Sequence, residues 1–314
     1  MLEFLSLKPE AFRLDISDLS LKIIKLEKKR EGFSLASFGE ASIKPGIIKG
    51  GEIKDENSLT KIIEKAISEV KGKKIKTKYV VASLPEEKAF LQVIQMPRML
   101  EEDLKSAIIY EAENYIPLPI EETYLDSQIV EPISDNLDHQ DVLIAALPKK
   151  TVNPYLSSLK KIGLQPIAFE IESLAVARAL IKNEVTTSPV LLIDLGATRT
   201  GFIIFSGHAL RFTSSIPVSS QKFTEAIAKV LKVDLAKAEQ LKIEYGLGVE
   251  TKKERSEIFD ALIPPLTDLI EQIKRHLSFY QTHSSHEHLP PDGKGIEKIM
   301  LCGGGANLRG LIDF

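Results

Sequence analysis

Asp15-Ile16-Ser17-Asp18-Leu19-Ser20-Leu21-Lys22-Ile23-Ile24 is the stretch on which the fold turns, because its order returns as Asp194-Leu195-Gly196-Ala197-Thr198-Arg199-Thr200-Gly201-Phe202-Ile203. Each reads as a strand, an acidic residue, a turn of small and polar residues, and a second strand. Consecutive backbone N–H groups in such a turn form an anion-binding concavity. Ser17, Asp18, Leu19 and Ser20 supply one candidate turn; Gly196, Ala197 and Thr198 supply the other. The strand-end acids, Asp15 and Asp194, are candidates to hold Mg²⁺ through water, since Mg²⁺ keeps several waters and takes few protein carboxylates. Lys22 adds a point cation for phosphate. Alone, either hairpin is equally an ordinary β-hairpin with an acidic turn. Together they read as two related halves facing each other, gripping a polyphosphate from opposite sides.

A third motif, Leu301-Cys302-Gly303-Gly304-Gly305-Ala306-Asn307-Leu308, follows in chain order. Glycines after a strand let backbone approach a planar ligand closely, and a helix is expected to start near Asn307. Behind two acidic hairpins, this is the expected adenosine-binding turn, with Gly303, Gly304, Gly305 and Ala306 as its contacts.

Outward from these motifs, Phe12–Leu26 reads as two strand segments and Phe33–Ile43 as a third. Asn57 or Ser58 is the expected cap of a helix whose apolar face is Ile62, Ile63, Ala66, Ile67 and Val70. Tyr79–Leu84 is a short strand. Between Pro85 and Pro166 the pattern becomes strand, helix, two strands, helix, which reads as a small α/β insertion. Its first helix, Glu101–Tyr115, sets Leu104, Ile108, Ala112 and Tyr115 on one face. Its second is expected to start at Asn153-Pro154 and stop at Gly163. Further on, helices are expected at Ser220–Leu231, Asp234–Tyr245 and from about Pro265 to Gln281, with a strand at Ile299–Cys302.

With 43% hydrophobic and 27% charged residues, the 314-residue chain can bury a normal core. A formal net charge of −3 gives no electrostatic case for a nucleic-acid partner. One cysteine excludes an internal disulfide framework and fits a reducing compartment. Met1–Pro9 carries Glu3 and no long apolar core, so it does not read as a signal peptide. No apolar run nears the ~20 residues of a membrane span. Cys302 reads as a small core residue. His283, His286 and His288 could bind a transition metal, but their Ser- and Pro-rich surroundings read more simply as a solvated loop.

The ordered set of two phosphate hairpins and a glycine-rich adenosine turn resembles the actin, Hsp70 and sugar-kinase superfamily. Ala238-Glu239-Gln240-Leu241-Lys242-Ile243-Glu244-Tyr245-Gly246 is similar to the helix that contacts ribose and adenine in FtsA-like and MreB-like proteins; Glu239 and Lys242 match the contacting positions and, at i and i+3, share a helix face. Glu111-Ala112-Glu113-Asn114-Tyr115-Ile116-Pro117-Leu118-Pro119 narrows the resemblance to the PilM family of type IV pilus assembly proteins, as do Phe12–Ser17, Ile171–Ala179 and Glu271–Tyr280.

That resemblance implies an α/β, actin-like ATPase fold: two related RNase H-like domains with an FtsA-type inserted subdomain and nucleotide in the cleft between the domains. Residues 1–85 and 166–189 would form the main N-terminal subdomain and 86–165 the insertion. Residues 190–218 and 292–314 would form the main C-terminal subdomain, and 219–291 a mostly helical one. ATP and Mg²⁺ are the implied ligands. The implied partner is the cytoplasmic N-terminal peptide of PilN, and through it the PilO/PilP inner-membrane platform, with self-association as a further expectation. The chain would then be cytoplasmic, at the inner face of the bacterial inner membrane. Glu172 matches the acid at the start of the connecting helix in MreB-like relatives and is the candidate to position water, with Glu170 second; Glu172 also reads as a simple helix-start charge. The superfamily's usual glycine is Ser17 here, and the family continues past Phe314, so a further strand or helix is expected beyond it. An FtsA-like division protein would want a C-terminal amphipathic helix, which this sequence lacks, and a small-molecule kinase would want a base near an acceptor hydroxyl.

Overall fold

A computed structural model describes residues 9–132, 138–248, 253–283 and 295–314. Its strands are β1 (Phe12–Ile16), β2 (Ser20–Lys28), β3 (Phe33–Ser42), β4 (Ile48–Lys49), β5 (Glu52–Ile53), β6 (Lys71–Gly72), β7 (Tyr79–Leu84), β8 (Phe90–Pro97), β9 (Thr123–Val130), β10 (His139–Pro148), β11 (Gln165–Ile171), β12 (Thr186–Leu195), β13 (Thr200–Gly207), β14 (Ala209–Ile216) and β15 (Lys298–Cys302). Its α-helices are α1 (Glu56–Ser68), α2 (Glu101–Glu113), α3 (Lys149–Lys161), α4 (Glu172–Leu180), α5 (Ser220–Leu231), α6 (Leu235–Tyr245) and α7 (Lys253–His283).

The chain divides into two compact units. One comprises the described residues of Met1–Phe90, Leu100–Asp126 and Ile144–Ala175; the other comprises those of Leu91–Met99, Ser127–Leu143 and Val176–Phe314. In the first, a six-stranded sheet runs β11-β7-β1-β2-β3-β6. β1 and β2 are antiparallel while β1, β7 and β11 run parallel. Alternation buries Phe12, Leu14 and Ile16 of β1 with Leu21 and Ile23 of β2, against Leu59, Ile63 and Ala66 of α1. In the second, a sheet runs β14-β13-β12-β15, with β15 parallel to β12. Its core joins Leu191, Ile193, Phe202 and Ile204 to Phe223, Ile227, Ala238, Ile258, Leu262 and Tyr280. β8, β10 and β9 form a separate three-stranded sheet.

Several boundaries differ from the sequence reading. The α1 cap is Asp55, whose carboxylate accepts from the Ser58 N–H at 3.0 Å, rather than Asn57 or Ser58. α3 starts at Lys149 and carries Pro154 inside it. Its buried face of Thr151, Val152, Tyr155, Ser158 and Leu159 begins before the proline, so burial outweighs the lost N–H. α7 likewise starts at Lys253 and runs through Pro264-Pro265, carried by buried Ile258, Ala261, Leu262, Leu266 and Leu269. Tyr115 falls outside α2 and is exposed, whereas Ile116 is 5% exposed and belongs to the core. The turn after β15 is a short 3-10 segment, Gly304–Asn307, and the described residues 308–314 form no α-helix.

Candidate functional site

The candidate residues form one cluster in each unit. In the first unit, β1 and β2 pair Asp15 opposite Lys22, whose Nζ lies 3.4 Å from Asp15 Oδ2. The other carboxylate oxygen accepts from Ser83 Oγ at 2.9 Å, and Ser83 in turn accepts from the Ile16 N–H at 3.1 Å. Asp15 remains half-exposed. The turn closes by Ser17 N–H to Ser20 C=O at 2.9 Å and a 2.9 Å contact between their hydroxyls. Ser17 does not need a positive φ here, so the absence of glycine carries no backbone strain.

Asp18 also reaches beyond its own turn. Its carboxylate accepts from the N–H groups of Gly50 at 2.8 Å and Gly51 at 3.0 Å. Both glycines have positive φ, and a Cβ on Gly51 would meet Pro85 Cγ at 2.6 Å. The Gly51 carbonyl accepts from the buried Tyr155 hydroxyl of α3 at 3.0 Å. Burial, with the carboxylates of Glu172, Glu87 and Asp18 nearby, pushes the Tyr155 phenol well above its ordinary range. Tyr155 therefore stays protonated and donates. Glu172 opens α4, and Ser173 beside it bonds to Glu86; Glu170 lies on β11, paired in register with Ser83.

In the second unit, the β12–β13 turn is held by backbone. The Gly196 N–H donates to the Arg199 carbonyl at 2.9 Å, while the Gly196 and Ala197 carbonyls accept from Ser220 and Gln221 at the start of α5, each at 3.0 Å. Those bonds satisfy two of the N–H groups that a helix start leaves without intrahelical partners. Asp194 stands in register with Gly201 and Cys302. The Cys302 thiol, half-buried against the Asp194 carboxylate, is pushed up to about 12, mainly by burial and then by that charge.

The glycines of the third motif are not equivalent. A Cβ on Gly303, at φ +82, would meet Leu195 O at 2.6 Å, and one on Gly305 would meet Leu195 Cδ2 at 2.9 Å. A Cβ on Gly304 would meet nothing within 4 Å. Gly303 and Gly305 are thus demanded by packing on the end of β12, and Gly304 is the open approach. Lys242 of α6 is buried and bonds Ser220 Oγ at 2.7 Å, Thr224 Oγ1 at 2.9 Å and Glu239 Oε2 at 2.7 Å. The expected i,i+3 pair is present, with the ammonium turned to α5 and the Glu239 side chain half-exposed.

Sequence reasoning missed Ser83, Ser220, Thr224, Tyr155 and the Gly50-Gly51 turn; only the glycine doublet carried a local signal. No group of three or more His, Cys, Asp or Glu able to hold a metal occurs among the described residues. A divalent ion beside Asp15 or Asp194 would therefore take most of its shell from water and phosphate, which fits Mg²⁺. His286 and His288 lie outside the described residues.

A family model described as type IV pilus assembly protein PilM matches residues 13–314. The chain belongs to the PilM family. A solved PilM-PilN type IV pilus biogenesis complex is similar at 28% identity with a TM-score of 0.79, over 98% of this chain and 84% of that one. The fold is actin-like: MreB5 of Spiroplasma citri, solved with AMPPNP, aligns at TM-score 0.54 and 15% identity over 95% of this chain and 86% of that one. Cell division protein FtsA of Pseudomonas aeruginosa is 25% identical over 174 residues, 49% of this chain and 40% of FtsA. FtsA of Helicobacter pylori is 25% identical over 216 residues, 62% of this chain and 43% of FtsA. The chain thus spans less than half the length of these curated relatives. No helix among the described residues is long and apolar enough to cross a membrane.

Proposed function

We propose that the chain is an ATP-binding scaffold of type IV pilus assembly that docks the cytoplasmic N-terminal peptide of PilN. The observation that carries this reading is the match of the PilM family model to nearly the whole chain, together with the 28% likeness to a PilM-PilN complex. Asp15 and Asp194 would hold Mg²⁺ through water. The turns Ser17–Ser20 and Gly196–Thr198, with Lys22, would take the phosphates; Glu239, Lys242 and Gly303–Ala306 would serve the nucleoside. Bound Mg-ATP would supply charge at the phosphate turns and stabilise the folded state by mass action. The division into residues 1–85 with 166–189, 86–165, 190–218 with 292–314, and 219–291 belongs to the same reading. So do a location at the inner face of the inner membrane, the link to PilO/PilP, and self-association.

Mg-ATP is expected to raise the melting temperature, with Asp15→Asn and Asp194→Asn each abolishing the shift. An unshifted wild type at saturating Mg-ATP overturns the nucleotide reading. Hydrolysis is expected far below the ~10 s⁻¹ enzyme median, with Glu172→Ala lowering it further; stoichiometric phosphorylation of a small acceptor would favour a kinase instead. For the peptide, Leu118 is the informative position of the Ile116–Pro119 strip, being 37% exposed. Leu118→Asp is expected to lose a PilN-type N-terminal peptide with an unchanged melting temperature, and unchanged binding would move the docking site elsewhere. Ile116→Asp is expected to unfold the segment.

A further inference from the structure

The first unit carries a positively charged end that the nucleotide reading leaves unused. Between Ile24 and Phe38 the chain places Lys25, Lys28, Lys29 and Arg30, and the segment from β6 to β7 adds Lys71, Lys73, Lys74, Lys76 and Lys78. These nine cations stand in a chain whose formal net charge is −3. The topology brings them together. β2 returns antiparallel to β1, so its end at Lys28 lies beside the start of β1. The β6–β7 segment crosses that same end, with Lys73 Nζ 2.7 Å from Glu27 and Thr77 Oγ1 2.6 Å from the Glu10 carbonyl. Asp15 and the phosphate turn lie at the opposite end of β1, so the charge does not serve phosphate there.

The same hairpin exposes apolar side chains. Phe33, next to the tip, is 71% exposed and Leu35 is 54% exposed. Ile24 stands opposite Phe38 and Leu26 opposite Leu35, all four exposed, while the inward-facing Leu21 and Ile23 are fully buried. Lys71 Nζ sits 5.9 Å from the Phe38 ring centre, and Lys28 is in register with Phe33. Of the acids here, Glu27 is already paired with Lys73 and Lys29, Glu10 with Lys25, and Glu69, two residues before Lys71, with Lys65; Glu31 remains near the hairpin tip, while Glu40 stands in register with Lys22 towards the phosphate turn.

We propose that this hairpin and the lysine segment beside it form a surface that rests on an anionic lipid bilayer, with Phe33 and Leu35 entering the headgroup layer. Lysines ringing exposed apolar side chains match an anionic interface, where each cation adds attraction and apolar side chains bury at the acyl boundary. Protein interfaces instead deplete lysine. The contact is direct and independent of any peptide held elsewhere on the chain.

The test is flotation of the whole protein with vesicles of equal parts phosphatidylglycerol and phosphatidylcholine, beside vesicles of phosphatidylcholine alone. Binding is expected only to the anionic vesicles and is expected to be lost at about 1 M salt, where charges are screened beyond ~3 Å. Neutralising Lys28, Lys71 and Lys74 together to Gln, none of which is ion-paired among the described residues, is expected to weaken binding roughly a hundredfold. Phe33→Ser with Leu35→Ser is expected to weaken it at an unchanged melting temperature. Absence of binding, equal binding to both vesicle types, or wild-type binding by the lysine variant overturns the proposal. Loss of a PilN-type peptide by the lysine variant, with vesicle binding intact, overturns it in favour of a protein-docking role.

Discussion

The two acidic hairpins share a sequence plan and differ in what holds them. The first, Asp15 to Lys22, adds side-chain ties to its Ser17–Ser20 backbone bond: Ser17 to Ser20, Ser83 to Asp15, and Asp18 to the Gly50-Gly51 turn. The second, Asp194 to Gly201, is tied by backbone bonds to α5 and by glycines that let the β15 turn pack on β12. A turn held by side chains depends on the identity of a few residues. A turn held by backbone depends on its neighbours having no side chain. The two should therefore fail under opposite kinds of substitution.

The largest effect is expected where a glycine is wedged. Gly303→Ala would require movement of the Leu195 backbone while adopting an unfavourable φ, a loss of about 3 kcal/mol or more, read as a fall in melting temperature. Gly51→Ala, meeting Pro85 at φ +73, sharpens the comparison by testing whether the first hairpin has a glycine dependence at second hand. If both alanine variants melt like wild type, the packing argument fails. Next comes Asp18→Asn, which replaces one acceptor oxygen by NH₂ opposite a backbone N–H. A loss of about 1–2 kcal/mol is expected in denaturant unfolding. Its counterpart, Thr198→Ala, is expected to stay within about 0.5 kcal/mol. A larger cost at Thr198 than at Asp18 would reverse the contrast. The smallest effect concerns Cys302. Its folded pKa is raised to about 12, so its contribution is fully present below the ordinary thiol range near 9 and is lost as pH rises from there towards 12. Wild type is expected to lose stability between those limits more steeply than Cys302→Ala, as measured by urea midpoints; parallel profiles would remove the burial argument.

Both hairpins could be read from sequence because acid, turn and alternation coincide within ten residues. The Ser220–Leu231 and Asp234–Tyr245 helices were also legible, with Asp234 capping as its position demands. The starts of α3 and α7 were not. Proline reads as a start signal at Asn153-Pro154, and the later helix reads as starting only at about Pro265, but a buried face extending upstream of each proline carries the helix through. The bonds from Gly50 and Gly51 to Asp18 were not legible, because those partners lie beyond any local window. The ties of Lys242 were hidden for the same reason: Ser220 and Thr224, which hold it, sit on another helix.

The bonds from Gly50 and Gly51 to Asp18 have a temporal consequence. Their two amide protons exchange with solvent only when the carboxylate releases them, and that carboxylate belongs to the first hairpin. Tyr155 holds the same turn through the Gly51 carbonyl, so release by the hairpin leaves the turn anchored to α3. The exchange rate of these two protons is then a clock for hairpin opening, kept by residues that themselves form no part of it.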